Sequence, residues 1–231
     1  MASTKTAPQT CFVASFIFDM DGVIINSHPA HLRAWQDFLR TIDKEVPPVE
    51  LDFILDGRKR REILRHFVGD VSDEQLAEYG RRKDQFFQER ALEVEPMPGV
   101  IDFINDLRAE GIALAVATSA SKARTASTLR RLGLIDHFQA VVTGDDVTEG
   151  KPDPAIYLSV CRQLKAQARD AIAVEDAVSG ILAAKAAGLR CIGVSSSHDG
   201  QKLKDAGADH VIENFEGLSL PRLQRALNGK H

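Results

Sequence analysis

The sequence predicts an α/β protein: a parallel sheet wrapped by helices, with an all-helical cap inserted after the first strand. Three observations predict it. From Val100 to Leu227, short apolar runs alternate with stretches of helical spacing. Gly111, Gly188 and Gly207 each fall after a helical stretch and before an apolar run, where a left-handed C-cap would turn the chain back to the sheet. Between Ala30 and Leu92 the alternation stops, and only helical spacing remains. The sheet is therefore expected to be Rossmann-like, with ligands at the carboxyl ends of its strands.

In chain order, residues 1–10 read as a polar, disordered tail. Cys11–Phe18 reads as a buried strand. Ser27 is a candidate N-cap, followed by a helix over Ala30–Thr41 with Leu32, Trp35, Phe38 and Leu39 on one face. Pro47-Pro48 breaks the chain, a short helix runs to Leu55, and Asp56-Gly57 turns it. Helices are expected over Arg58–Phe67 and from Ser72 to about Leu92. After Pro96-Met97-Pro98-Gly99, strands are expected at Ile112–Ala117, Ala140–Val142, Ala171–Val174, Cys191–Val194 and His210–Ile212. Helices fill the gaps at Val100–Ala109, Lys122–Leu132, Asp153–Leu164, Ala177–Ala187, Gln201–Ala206 and Pro221–Leu227. The predicted division is a core of residues 11–28 and 96–231 around a cap of residues 29–95.

Composition narrows the function classes. The chain has 231 residues, a net charge of −4 and a pI near 6.0, so no basic balance suggests nucleic acid or a membrane surface. No apolar stretch approaches the ~20 residues of a membrane span, and Asp19 interrupts the first apolar run, which makes it a poor signal peptide. Cys11, Cys161 and Cys191 lie far apart in apolar contexts and read as buried free thiols, which points to the cytoplasm.

The chemistry sits at four strand ends. Asp19-Met20-Asp21-Gly22 follows the first strand, and side chains at i and i+2 leave a strand on the same side. Two carboxylates so close either share a proton or hold a cation. The same tetrapeptide is also an ordinary turn. Thr118-Ser119-Ala120-Ser121 follows the second strand, where hydroxyls and backbone N–H groups can bind phosphate or merely cap a helix. Lys151, pinned beside Pro152, places a stiff cation at the same rim and suits a transferring phosphoryl group. Glu175-Asp176 ends the fourth strand and offers hard oxygen ligands to a cation such as Mg²⁺, or an acidic helix start.

With these four motifs in place, the chain resembles the haloacid dehalogenase superfamily, in the branch with a helical cap after the first motif. The resemblance covers nearly the whole chain beyond the tail and is nearest to β-phosphoglucomutase and the sugar-phosphate phosphatases. It implies that Asp19 attacks phosphorus, that Asp21 is the acid and base, and that Ser119, Ala120 and Lys151 hold the phosphoryl group. It also implies that Mg²⁺ sits on Asp19, the Asp21 carbonyl, Asp176 and Glu175, and that Lys151–Pro152 is cis. An Asp at position 21 argues against dehalogenation. On the cap, the segment from His31 to Trp35 is similar to the mutase's, and Arg60 matches its phosphate-gripping arginine, although Ile63 stands where the mutase has serine. Arg58, Lys59, Arg60 and Arg61 oppose the helix dipole and are expected to bind an anionic part of the substrate. The expected activity is hydrolysis of a small phosphorylated metabolite by a monomer. β-Phosphoglucomutase is the alternative reading, and a non-catalytic phosphate binder a more distant one.

Overall fold

The structure is a computed structural model that describes residues 13–47, 50–195 and 199–228. The expected tail, Cys11 and Pro48 lie outside them. Six parallel strands, β1 (Ser15–Phe18), β2 (Ala113–Ala117), β3 (Ala140–Val142), β4 (Ala171–Glu175), β5 (Arg190–Val194) and β6 (His210–Ile212), form one sheet in the order β3-β2-β1-β4-β5-β6. The four strands with chemistry at their ends are thus neighbours. Their register is level: Phe18 pairs with Val116 on one side and Val174 on the other. The Asp19 N–H donates to Val174 O at 2.9 Å, extending the ladder one residue past the strand.

Alternation along β1 divides the core. Phe16 and Phe18 face a layer with Phe103 and Leu107 of α5 (Val100–Ala109) and Leu129 of α6 (Lys122–Arg131). Ile17 faces the opposite layer, with Tyr157 of α7 (Ala155–Leu164) and Ile181 of α8 (Val178–Ala186). Each such buried side chain contributes roughly 1.5–3 kcal/mol, and this anchors β1 at the centre of the sheet. Two further helices, α9 (Gly200–Asp205) and α10 (Leu220–Asn228), complete the layers. Gly111, Gly188 and Gly207 have φ of +72°, +85° and +105°, as the left-handed turns require.

The insert holds α1 (His28–Arg40), α2 (Leu51–Leu55), α3 (Arg60–Val68) and α4 (Asp73–Gln88). Trp35, Phe38, Leu39, Ile63, Leu64 and Leu76 form its own apolar centre. Ala30, Ala34 and Phe87 pack instead into the sheet's core, so the base of the insert is not a free hinge. Among the described residues no helix is long and apolar enough to cross a membrane.

Several expected boundaries move. Ser27 stands at the N-cap of α1 but makes no side-chain cap bond, because its hydroxyl donates to Asp21 Oδ1 at 2.6 Å. Helix α3 starts at Arg60, since Lys59 is extended and its ammonium donates to the carbonyls of Val147 and Thr148. Pro154 occupies the N-cap of α7. Helix α4 ends at Gln88, followed by a 3-10 turn at Ala91–Glu93.

Candidate active site

The four strand ends and the inner face of the insert enclose a cavity of about 330 Å³. Asp19 lies at its floor. Lys151, 1 % exposed, donates to Asp19 Oδ1 at 2.6 Å, to Glu175 Oε1 and to Ala117 O. Tyr157 OH also donates to Glu175, and an added Cβ at Gly180 would lie 2.1 Å from that carboxylate, so only glycine leaves room for it. The Lys151–Pro152 bond is cis, as expected.

Asp19, Glu175 and Asp176 place carboxylate oxygens within 4.8 Å of one another, all buried. Burial pushes the Asp19 carboxyl well above its ordinary range; Lys151 pulls it down, while Glu175, Asp21 and Asp176 push it up. Three buried carboxylates around one ammonium make an all-oxygen, acidic set that fits a hard divalent cation. Gly22, at φ +75°, completes the cradle, since an added Cβ would lie 2.0 Å from Asp176 Oδ2. His28 Nε2 lies 3.1 Å from the same oxygen; burial opposes its protonation, but Asp176, together with Asp21 and Asp19, raises its pKa.

Ser119 lines the cavity, and its hydroxyl donates to Gly57 O of the insert at 2.6 Å. Helix capping falls to Ser121, which accepts from the Arg124 N–H. Ala120 N–H donates to Thr118 Oγ1 at 3.2 Å. Ser179 Oγ, in the first turn of α8, donates to Asp56 O, a further bond to the segment 56–59.

Asp21 does not share Asp19's partners. The i, i+2 rule holds only inside a strand, and β1 has ended at Phe18; Gly22 turns the chain. The Asp21 carboxylate lies outside the three-carboxylate group. It accepts from both Nη atoms of Arg124, from Ser27 and from His31 Nε2 at 3.2 Å. Burial would raise its pKa, but Arg124 and then His31 overcome this and hold it well below the usual carboxylate range. His31 Nδ1 lies 3.0 Å from Lys83 Nζ. The only consistent tautomer has Lys83 donating to Nδ1 and Nε2–H donating to Asp21. Burial and the Lys83 charge lower the His31 pKa to about 3, so this imidazole stays neutral.

Lys83 is 4 % exposed, between the rings of Trp35 at 5.3 Å and Phe87 at 5.2 Å. Burial, then the Arg124 charge, lower its pKa from 10.5 to about 7. Between these values the unfolded chain binds the extra proton, so stability rises with pH across that window. Lys83→Met keeps the ring contacts and removes the buried charge. It is expected to gain about 1–3 kcal/mol at pH 6, with the gain shrinking toward pH 10. Urea midpoints at the two pH values check this; a variant weaker than the parent at both would refute it.

On the cap side, Trp35 forms part of the cavity wall, and Arg60 is paired with Asp84. An added Cβ at Gly80 would lie 2.7 Å from Arg60 Nε, so that glycine opens the space for its guanidinium. The neighbouring cations also have internal partners: Arg58 with Asp56 and Glu62, Arg61 with Asp73, Lys59 with two carbonyls. The sequence reading missed Arg124, Lys83, Asp84 and His28. Only Arg124 left a local signal, a cation in the first turn of α6, where the dipole opposes it.

A family model described as haloacid dehalogenase-like hydrolase matches residues 16–194. The chain is 32% identical over 220 residues to validoxylamine A 7'-phosphate phosphatase of Streptomyces hygroscopicus subsp. limoneus, covering 90% of this chain and 96% of that one. It is 32% identical to β-phosphoglucomutase of Bacillus subtilis (strain 168), covering 90% and 92%. A crystal structure of β-phosphoglucomutase from Clostridium difficile has the same fold, with a TM-score of 0.85 at 23% identity over 94% of this chain and 98% of that one.

Proposed function

Since the chain belongs to the haloacid dehalogenase-like hydrolases, we propose that it hydrolyses a small sugar phosphate, or a similar phosphate monoester, through an aspartyl phosphate on Asp19. The observation that carries this is the buried floor of the cavity, where one carboxylate faces open space and is held by one cation, Lys151. Relatives named as phosphatases of phosphorylated carbohydrates supply the substrate class.

Asp19 attacks phosphorus as its bond to the leaving oxygen breaks, and Asp21, which takes up a proton from water once it has left Arg124 and His31, gives that oxygen the proton. Water then attacks the aspartyl phosphate, Asp21 takes its proton, and Asp19 and inorganic phosphate are restored. Lys151 and the Ser119 hydroxyl hold the phosphoryl oxygens; Ser119 gives up Gly57 O to do so. Asp19, Glu175, Asp176 and the Asp21 carbonyl would hold Mg²⁺, which when bound offsets the carboxylates' negative charge and supplies Lewis-acid stabilisation. Residues 29–95 act as a cap over this site. The buried free thiols Cys161 and Cys191 support a reducing, cytoplasmic setting.

The test is p-nitrophenyl phosphate turnover with Mg²⁺ and after chelation. Turnover that requires the ion is expected; a protein inactive in both is a binder. The mutase reading keeps support from the His31–Trp35 segment and the mutase among the relatives. β-Glucose 1-phosphate with a trace of the bisphosphate should give free phosphate; glucose 6-phosphate instead would establish the mutase.

A further inference from the structure

Arg124 differs from the other cations at the cavity. Its guanidinium is forked onto both oxygens of Asp21, with Nη1 at 2.9 Å from Oδ1, and its face covers the Phe87 ring of α4 at 5.1 Å. It therefore ties a strand-end residue to the insert. With Ser27 and His31 also donating, Asp21 Oδ1 takes three donors and Oδ2 is held by Arg124 alone.

On the reading above, Asp21 must reach the leaving oxygen, and it cannot do so while forked by Arg124. Once released, Arg124 is a largely buried cation without its anion, which costs roughly 3–5 kcal/mol. Asp84 and Asp19 favour its charge through space, but neither replaces the lost fork, since Asp84 is bonded to Arg60 and Asp19 to Lys151. What arrives in the cavity at that moment is the substrate.

We propose that Arg124 is a positioning and specificity residue: it holds Asp21 aside in the empty cavity and releases it by moving onto a second acidic group of the substrate. The shared chemistry is a carboxylate or a second phosphate on a sugar skeleton. The number of ion pairs is then the same before and after, and the exchange sets Asp21 free. A substrate lacking that group binds but leaves the acid engaged. The advantage of the acidic group therefore falls in kcat, whereas simple charge attraction would fall in KM.

Two matched pairs test this, each differing in the second acidic group: 6-phosphogluconate against glucitol 6-phosphate, and glucose 1,6-bisphosphate against glucose 1-phosphate. Steady-state kinetics are measured for the parent, Arg124→Gln and Arg124→Lys. The parent is expected to favour the acidic member of at least one pair by about tenfold or more, in kcat. The pair that shows it tells carboxylate from phosphate. Arg124→Gln is expected to lose the preference and to turn over glucitol 6-phosphate faster than the parent; Arg124→Lys is expected to fall between. No preference in the parent, a preference confined to KM, or an undiminished preference in Arg124→Gln overturns the proposal. If the Gln variant does not fold, an undiminished preference in Arg124→Lys does so. Mg²⁺-dependent turnover of p-nitrophenyl phosphate by the parent shows that the general reading stands even if this one falls.

Discussion

Asp19→Asn is expected to cut kcat by about 10⁴-fold or more while leaving the protein folded. The amide keeps the shape of the side chain and can accept from Lys151, but it cannot attack phosphorus. Folding should survive, because burial and three neighbouring carboxylates already hold Asp19 above its ordinary range. Removing one negative charge from that group relieves repulsion and leaves Lys151 paired with Glu175. Turnover alone would not separate loss of the nucleophile from a displaced metal. The sharper measurement is acid quenching with a substrate labelled in the phosphoryl group. The parent is expected to carry label that hydroxylamine releases, and the variant none. A variant keeping more than about one hundredth of parental turnover would remove Asp19 from the role of nucleophile.

That Asp19 could be singled out at all reflects how local its signal is. A strand that ends in acid, the hydroxyls after β2, Lys151 before a proline and the acidic end of β4 are each legible in a few residues. The parallel sheet then brings them together, because the register of β1 with β2 and β4 is level. The left-handed glycines were legible for the same reason: their constraint is within one residue. Contacts across the sequence were not. Arg124 meets Asp21 across 103 positions, and Lys83 meets His31 across 52. No periodicity encodes such a pairing. Asp19 and Asp21 line one cavity as expected but hold different partners, because the alternation rule does not extend to Asp21, three residues beyond the strand. Residue type marks Ser27 as a cap, but Pro29 has no N–H to offer it, and a buried carboxylate within reach takes its hydroxyl instead. The cationic run at residues 58–61 points to an anionic ligand on sequence alone, because Asp84 and Asp73 reach Arg60 and Arg61 only once α4 folds back.

Lys151→Met should have the largest effect on stability as well as ending turnover. The ammonium is the only cation bonded to Asp19 and Glu175 among the described residues, and it lies 5.5 Å from the centre of the Tyr157 ring. Methionine fills similar space but leaves two buried carboxylates facing each other. Breaking a buried pair this way costs roughly 3–5 kcal/mol, which at this chain length lowers Tm by about 10 °C. The sign with pH follows from the carboxylates. Burial already raises both, and without Lys151, which lowers each, they rise further. A carboxyl whose folded pKa is raised binds more protons folded than unfolded, so its folded form loses stability as pH climbs through that range. The deficit should thus be small near pH 4.5 and largest above pH 7. Mg²⁺ should recover part of it at pH 7.5, since the ion binds only the folded chain and offsets the same charge. Denaturant titrations at both pH values, with chelator and with Mg²⁺, measure all three. A deficit independent of pH and of the ion would mean that Lys151 acts by packing alone, and the floor of the cavity would then need a different account of its charge.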